Sequence, residues 1–367
     1  MQGGVNLVRW QLGAGTTDGC ALPLISVGGR ADLYDLKLAQ TMDDLLKLQK
    51  AHGLSHIMVP MQDMSLWQDK PTSFGATRQI EGYKSLAAEN LPLQEQYLRY
   101  VVARFGCFVD IWEMFNEDLC APNDYLAHLA QIVRRVDPYD HIVTTNYPRP
   151  QEDWCEIICP HKYFRIPAGG VDVYLAKEIG RWKSYGKPVQ YTEGGNKGWL
   201  SNYDPHKWRV AYWTAFMNES GMLVWSMSGR KTDPRVNRGG GNANAYIGPE
   251  TRQAFRVLNE FTRNLPVDMR PTDTGRTEEH DKVRTYGLSN GKTTVIYAHH
   301  FAYRKLPLSA NTKLVVETGP GNFTVKWINP ADGKMIASER CESAGLVQRV
   351  QLPRFRIDAA CRIDRID

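Results

Sequence analysis

Short runs of apolar and β-branched residues recur between residues 5 and 265 and alternate with segments of helical periodicity. Those segments space their apolar residues three and four apart, as in Leu38, Met42 and Leu45, which is typical of one helix face. Alternation of strands and helices over this length predicts an α/β protein with a parallel sheet and helices outside it. The predicted strands are 5–10, 56–61, 109–115, 141–145, 156–159, 188–192 and 222–225.

Two of these apolar runs lead to a glutamate at the point where the predicted strand ends. Glu117 follows the run 109–115 and Glu193 follows the run 188–192, each beside small, polar or turn-forming residues. The carboxyl ends of barrel strands are where α/β barrels carry their catalytic side chains. Two carboxylates from different strands at that edge suit acid/base and nucleophilic work, for which cleavage of a glycosidic bond is the foremost example. We therefore expect Glu117 and Glu193 to form the reactive pair.

The strand spacing favours a closed barrel, although we count seven strands where a barrel has eight. Three strand–helix units separate the two glutamates at roughly 25 residues each, against roughly 31 in a typical barrel. The strand 5–10 begins almost at Met1, which leaves its outer edge without a partner. Unpaired backbone groups cost roughly 1–3 kcal/mol each when buried. We expect 222–225, another segment, a second chain, or a stretch preceding this sequence to cover that edge.

The sequence pattern changes after Pro266, where strict alternation of apolar and polar residues replaces the helical spacing. Asn290-Gly291 and Asp332-Gly333 are typical of two-residue hairpin turns. Many short strands without a helix between them predict an antiparallel β-sandwich. We therefore divide the chain into a (β/α) barrel, residues 1–268, and a β-sandwich accessory domain, residues 269–367. The strands predicted there are 283–288, 293–298, 313–317, 323–328, 335–338, 347–352 and 360–366.

Composition and charge argue against two classes of partner. The 367 residues are 42% hydrophobic and 23% charged, with a net charge of +5. The densest basic stretches, 230–238 and 354–365, are interrupted by aspartates, and no nucleic-acid-binding signature accompanies them. No apolar run approaches the roughly 18 residues of a membrane span. We expect neither nucleic acid nor a membrane span, and the first residues show no secretory signal.

Metal and redox chemistry have no clear signature in the sequence. No cluster of histidine, cysteine and aspartate has the spacing of a metal-ligand set, and a carboxylate pair needs no metal. The seven cysteines include no Cys-x-x-Cys pair. We therefore expect no metal and no cofactor, and the sequence leaves the oligomeric state open.

The segments 112–117 and 192–194 together resemble the retaining glycoside hydrolases of the large barrel clan A, which includes family 5 cellulases and mannanases. The Asn116-Glu117 pair is the most recognisable mark of that clan. The longer segment 97–113 is similar to the apiosidase-like and related bacterial branches, which often end in a small β-sandwich. The resemblance implies a retaining hydrolase acting on β-glycosidic bonds of an oligo- or polysaccharide, in a secreted or cell-surface setting. The missing first strand is a departure from the family pattern.

The resemblance also implies roles for individual residues. Glu117 matches the general acid/base and Glu193 the nucleophile. Asn116 matches the residue that hydrogen-bonds the sugar 2-hydroxyl. Arg9 matches an arginine that keeps the nucleophile ionised and oriented. Glu113, four residues before Glu117, is expected to be a buried, hydrogen-bonded structural group.

Three further residues are expected to bind substrate. His161 and Tyr163 match a His-x-Tyr motif whose side chains contact the nucleophile and the sugar. Trp225, at the end of the strand 222–225, matches a tryptophan that forms a sugar platform, since sugar C–H faces pack well on indole. Asp63, Trp67, Trp199 and Tyr203 are weaker candidates in the loops that follow strands.

Two other functions are compatible with the sequence. A catalytically inactive carbohydrate-binding protein on the same scaffold would explain the abbreviated start, although both glutamates are retained. A barrel hydrolase whose carboxylates bind a metal would require ligand histidines at strand ends, which the sequence does not supply. Specificity depends on rim loops that carry no transferable code, so the sequence does not indicate which sugar or linkage is cleaved, or whether attack is internal or terminal.

Overall fold

The structure of the protein is a computed structural model. It describes residues 4–12, 33–61, 91–117, 121–163, 166–195, 204–225, 248–273, 276–277, 282–302 and 313–366. Within these ranges, no helix is long and apolar enough to span a membrane.

The N-terminal part alternates strands with helices in chain order, as the apolar pattern predicts, except between the fourth and fifth strands, which no helix separates. The strands are β1 Leu7–Gln11, β2 Ser55–Val59, β3 Ile111–Glu113, β4 Ile142–Thr144, β5 His161–Tyr163, β6 Val189–Gly195 and β7 Ser220–Trp225. The helices are α1 Leu36–Ala51, α2 Leu91–Phe105, α3 Asn123–Val136, α4 Ala168–Lys183, α5 Pro205–Met217 and α6 Pro249–Thr262. A single 3₁₀ turn, Gly106–Phe108, follows α2.

All neighbouring strands in this part pair in parallel, in two groups. The first has the order β1-β2-β3-β4 and the second the order β5-β6-β7. The two groups are linked next to β4, where the Glu156 N–H donates to the Val143 carbonyl at 3.0 Å. The amide of Asn146 also donates to the Cys159 carbonyl at 2.6 Å. The carboxyl ends of both groups therefore face the same edge.

The predicted gap next to the first strand is present among the described residues. β1 lies beside β7, but in the part of the chain that the structure describes these two strands form no ladder with each other. Just before β1, the backbone of Gly4 packs against α6, where an added Cβ would lie 2.4 Å from the Arg256 nitrogen. Pairing of 5–10 with 222–225 is therefore not seen, and a fully closed barrel stays a prediction.

One strand prediction needs correction in its position. The run 156–159 was expected to form a strand, whereas β5 begins at His161. The pairing with β6 starts earlier, through an isolated bridge from Ile158 to Val189. Pro160 has no N–H to donate, so the ladder is interrupted there and resumes at His161. The apolar run thus marks the buried start of a strand whose functional end lies beyond it.

The C-terminal part consists of antiparallel strands, as the alternating pattern predicts. The strands are β8 Arg270–Thr272, β9 Arg276–Thr277, β10 Val283–Ser289, β11 Thr293–His300, β12 Lys313–Glu317, β13 Gly321–Ile328, β14 Met335–Ser343, β15 Val347–Gln351 and β16 Asp358–Arg365. Both predicted hairpins are present, but their connections are longer than two residues: 290–292 joins β10 to β11, and 329–334 joins β13 to β14. Gly291 and Gly333 have positive φ, 83° and 75°, which favours glycine.

These strands form a six-stranded sheet, β14-β13-β16-β11-β10-β8, and a three-stranded sheet, β15-β12-β9. One hydrophobic cluster contains buried residues from both sheets, including Leu314 and Val350 from the smaller sheet and Trp327 and Ile363 from the larger. This shared core is what a two-sheet arrangement needs. The sandwich itself and the domain boundary at residue 268 stay predictions.

The larger C-terminal sheet packs against the helices that follow β5 and β6. The indole ring of Trp213 on α5 stacks on Tyr297 of β11, with ring centroids 5.5 Å apart. A buried ion pair joins Asp172 of α4 to Arg284 of β10 at 2.7 Å. The imidazole Nδ1 of His299 lies 2.9 Å from the same carboxylate. Burial alone would raise the pKa of Asp172, but His299 and Arg284 outweigh it and lower that pKa to about 2.

The lowered pKa of Asp172 predicts a loss of stability in acid. A carboxyl group whose folded pKa lies below its unfolded value of 3.8 stabilises the fold above pH 3.8, and that stabilisation disappears as the pH falls toward 2. We expect the wild type to have a higher free energy of unfolding than Asp172→Asn. This difference should be about 1 kcal/mol smaller at pH 3 than at pH 6. Urea unfolding followed by tryptophan fluorescence measures it. A difference that stays constant with pH would contradict the assignment.

Candidate active site

The structure brings six of the seven predicted site side chains together at the carboxyl edge of the parallel strands. Arg9 lies on β1, and Asn116 and Glu117 follow β3 directly. His161 and Tyr163 lie on β5, and Glu193 lies opposite His161 on the neighbouring strand β6. Hydrogen bonds and close polar contacts join these residues to one another.

The guanidinium of Arg9 connects three side chains from two other strands. It donates to both carboxylate oxygens of Glu113, at 3.2 Å from Nε and 2.5 Å from Nη2. Its Nη1 donates to Glu193 Oε1 at 2.8 Å, and Nη2 donates to Asn116 Oδ1 at 2.8 Å. Burial alone would lower the pKa of Arg9, but the charges of Glu113 and Glu193 outweigh it and raise that pKa. Arg9 is therefore a fixed cation.

Glu193 is held by hydrogen-bond donors on both of its carboxylate oxygens. Oε1 accepts from Arg9 and also from Gln11 Nε2 at 3.3 Å. Oε2 accepts from the Tyr163 hydroxyl, and the imidazole Nδ1 of His161 lies 3.5 Å away. Burial, followed by the charge of Glu193, raises the pKa of Tyr163, so this phenol keeps its proton and can donate. These contacts orient a buried carboxylate.

Glu117 occupies an unusual backbone conformation that turns its side chain toward Glu193. Its φ is +49°, in the left-handed region that residues other than glycine seldom adopt. The Glu117 N–H donates to the amide oxygen of Asn146 at 3.2 Å, and Asn146 donates in turn to the Cys159 carbonyl at 2.6 Å. Asn146 is fully buried. It therefore fixes the strand end that carries Glu117 relative to the strand that carries His161.

His161 lies between the two glutamates. Its Nδ1 is 3.1 Å from Glu117 Oε1 and 3.5 Å from Glu193 Oε2. One carboxylate oxygen of each glutamate and one ring nitrogen of His161 all lie within 4.8 Å of one another. This oxygen and nitrogen donor set could hold a metal ion, and among the described residues it is the one group of its kind. The expectation that the chemistry needs no metal stays a prediction.

Trp225 and the loop candidates are less well defined. The backbone of Trp225 pairs with Gly195, so this residue lies at the carboxyl end of β7 beside the strand of Glu193. Its side chain lies outside the described residues, as do Asp63, Trp67, Trp199 and Tyr203. The platform role of Trp225 therefore stays a prediction.

Sequence reasoning missed two contacts in the site. Gln11 lies two residues after Arg9 on β1 and therefore on the same face of the strand, which would have been a usable signal. Asn146 follows β4. A polar residue just beyond a barrel strand is a candidate site residue for the same reason as Glu117. Glu113 is completely buried and hydrogen-bonded to Arg9, as the sequence predicts for a structural group.

Solved structures share the fold of this chain, whereas the two sequence comparisons found no match. No protein-family model matches the chain, and no curated protein matches its sequence. A solved structure described as a glycoside hydrolase aligns with 99% of this chain and 86% of its own, at 14% identity and a TM-score of 0.64. A glycoside hydrolase family 5 protein from Bacteroides vulgatus ATCC 8482 aligns with 98% of this chain and 82% of its own, at 13% identity and a TM-score of 0.69.

A third structure extends the likeness to another family. The family 30 subfamily 8 xylanase from Clostridium acetobutylicum aligns with 98% of this chain and 89% of its own, at 14% identity and a TM-score of 0.56. These family 5 and family 30 neighbours support the α/β barrel fold that the resemblance to clan A implies. At such low identity the likeness shows a shared fold.

The contacts of Arg9 predict how stability responds to its removal. In Arg9→Met the fully buried Glu113 loses its cation, which typically costs about 3–5 kcal/mol in free energy of unfolding. Replacing both partners, as in Arg9→Met with Glu113→Leu, should recover part of that loss, because the buried charge of Glu113 is removed together with its cation, while Glu193 still lacks Arg9. Urea denaturation measures both values. A double variant as unstable as the single one would contradict the pairing.

Proposed function

We propose that this protein is a retaining glycoside hydrolase that cleaves β-glycosidic bonds in an oligo- or polysaccharide. Glu193 is the nucleophile and Glu117 the general acid/base. The names of the structures that share the fold support a glycosidase. The arrangement of the two carboxylates supports the retaining mechanism.

The separation of the two carboxylates is the observation that carries this proposal. One oxygen of Glu117 and one oxygen of Glu193 lie within 4.8 Å of each other. Retaining enzymes need carboxyl groups about 5–5.5 Å apart, because one of them must reach the anomeric carbon directly. Inverting enzymes need about 6.5–9.5 Å, since a water molecule has to fit between carboxylate and sugar. The short separation favours direct attack.

The hydrogen bonds of Glu193 suit a nucleophile. Arg9 and Gln11 donate to one oxygen and Tyr163 donates to the other. Donors on both oxygens fix the orientation of this carboxylate. Preorganisation of the attacking group reduces the entropy that must be lost in the transition state.

The surroundings of Glu117 suit an acid/base residue. The Nδ1 of His161 lies 3.1 Å from its Oε1, and its backbone is fixed by Asn146. In the first step Glu193 attacks the anomeric carbon, the glycosidic C–O bond breaks, and Glu117 gives its proton to the departing oxygen. In the second step a water molecule gives a proton to Glu117, and the oxygen of that water attacks the anomeric carbon and displaces Glu193 from the sugar.

The remaining site residues bind the sugar in this proposal. The amide oxygen of Asn116 accepts from Arg9 at 2.8 Å and from Gln11 at 3.3 Å, which directs the Asn116 Nδ2 group toward a sugar 2-hydroxyl. His161 and Tyr163 border the same space, and Trp225 provides the platform. A hydrogen bond to the 2-hydroxyl that strengthens in the transition state contributes several kcal/mol.

In this proposal, residues 1–268 form the catalytic barrel and residues 269–367 a β-sandwich accessory domain. The hydrophobic cluster shared by the two antiparallel sheets supports the sandwich. The larger sheet packs on α5, which supports an accessory that stays attached to the barrel. The substrate is an oligosaccharide or polysaccharide.

Chemical rescue tests the role of Glu193. We expect Glu193→Ala to lower kcat by at least about a thousandfold, because the covalent route is lost. Added azide should restore turnover and yield an α-glycosyl azide from a β-linked aryl glycoside, since azide attacks from the face that Glu193 has vacated. Hydrolysis of a panel of aryl β-glycosides and polysaccharides measures the loss, and NMR identifies the product.

Glu95→Ala is the matched control, because it removes an exposed helix glutamate that pairs with Arg99. Its activity should equal that of the wild type. Undiminished hydrolysis by Glu193→Ala would remove Glu193 from the nucleophile role. Binding of glycans by the wild type without turnover of any substrate would favour the alternative, a catalytically inactive carbohydrate-binding protein.

A further inference from the structure

Two buried ion pairs join the C-terminal sheet to the two helices that follow the site strands β5 and β6. Asp172 of α4 pairs with Arg284 of β10, and Arg209 of α5 pairs with Asp358 at the start of β16. We infer that the C-terminal sheet positions the reactive side chains through these pairs, with Arg284 as the main positioning residue. The inference rests on the proposed function only where turnover is its readout.

Arg284 grips the first turn of α4 at two points. Its guanidinium donates to both oxygens of Asp172, at 2.7 and 2.8 Å, and to the Gly169 carbonyl at 2.6 Å. The Tyr286 hydroxyl and His299 Nδ1 hold the same carboxylate at 3.2 and 2.9 Å. Asp172 is completely buried, so these hydrogen bonds replace the ones that water would make to its carboxylate.

Backbone packing reinforces the grip on α4. A Cβ added at Gly169 would lie 2.8 Å from the Phe301 carbonyl oxygen, so the first helical turn and the end of β11 are in direct contact. The Arg284 guanidinium also lies over the Phe301 ring, 4.0 Å from its centroid. The amino end of α4 is therefore fixed against the C-terminal sheet.

The grip lies close to the active site along the chain. Residues 164–167 alone connect the end of β5, at Tyr163, to the start of α4. Four residues span at most roughly 14 Å, which limits how far the start of α4 can lie from Tyr163. In a βα unit the carboxyl end of the strand and the amino end of the next helix lie on the same side of the barrel. A displacement of the first turn of α4 is therefore transmitted to Tyr163.

Tyr163 carries that displacement to the reactive group. Its hydroxyl donates to Glu193 Oε2, and His161 on the same strand lies between the two glutamates. A misplacement of about 1 Å in a site of this kind can lower the rate about a hundredfold. The position of α4 therefore affects the rate of reaction through Tyr163.

The pair on α5 is built in the same way with the charges reversed. Arg209 donates from Nε at 2.8 Å and from Nη2 at 2.9 Å to Asp358, whose carboxylate also accepts from Tyr297 at 2.8 Å. α5 follows β6, which carries Glu193, but the connection runs from 196 to 204 and is longer. We expect weaker coupling through Asp358 than through Arg284.

The same helix supplies a matched control. Lys183 in the last turn of α4 pairs with Glu219, at the end of the helix away from Tyr163. Lys183→Met removes one positive charge and one ion pair from α4, as Arg284→Met does from its partner strand. The two variants differ in which end of α4 they release.

The experiment compares Arg284→Met with Lys183→Met in the full-length chain, with hydrogen exchange as the first readout. We expect amides in peptides covering 158–163 to exchange about tenfold faster in Arg284→Met, because the local opening of β5 becomes easier. Lys183→Met should leave these amides unchanged. This measurement needs no substrate, so it tests the positioning even if the protein hydrolyses no glycoside tried.

Turnover is the second readout and tests the route through Tyr163. Arg284→Met should lower kcat about ten- to a hundredfold with KM changed less than about threefold. In a Tyr163→Phe background the same change should cost less than about threefold, because coupled residues are not additive. Equal losses in both backgrounds would overturn the route through Tyr163.

A milder variant covers the case in which Arg284→Met does not fold. Tyr286→Phe removes a single hydrogen bond to Asp172 and should raise exchange at 158–163 in the same direction, by less. Unchanged exchange there in every folded variant would overturn the inference. A wild type inactive on all substrates, with faster exchange in Arg284→Met, would contradict the proposed function and support the positioning.

Discussion

The candidate active site depends on one guanidinium. Arg9 reaches from the first strand to Glu113 and Asn116 at the end of the third and to Glu193 on the sixth. Its planar fork of five N–H donors reaches four acceptor atoms on three side chains, one more than the three donors of a lysine could satisfy. The buried carboxylates of Glu113 and Glu193 would repel each other, and the cation that pairs with both offsets the cost of burying them. The geometry of the other site residues follows from that placement.

The other residues of the site orient the two glutamates, Glu193 and Glu117. Tyr163 and Gln11 complete the donors around Glu193, and Asn146 fixes the strained backbone of Glu117. A positive φ at a glutamate costs about 1–3 kcal/mol and persists only where the surrounding structure determines it. Here the Asn146 amide and the His161 ring supply those surroundings. The strain turns a carboxylate at a strand end toward its partner.

Local sequence patterns predicted the elements and the strand ends well, because they depend on periodicity. Glu117 and Glu193 could be found since an apolar run stops just before each of them. The position of β5 could not, because Pro160 interrupts the ladder without ending the strand. The contacts of Gln11 and Asn146 were not predicted, because they depend on the direction in which each side chain points. The pairing of Asp172 with Arg284 joins distant parts of the chain, and no local pattern marks it.

Trapping the covalent intermediate tests the central claim most directly. The wild type would be incubated with a panel of 2-deoxy-2-fluoro-β-glycosides that carry a 2,4-dinitrophenolate leaving group, and its peptides would be analysed by mass spectrometry. The account predicts a fluoroglycosyl adduct on Glu193, formed as one equivalent of dinitrophenol is released. Release of dinitrophenol with an adduct on another residue, or steady turnover to a product of inverted configuration with no adduct, would contradict it.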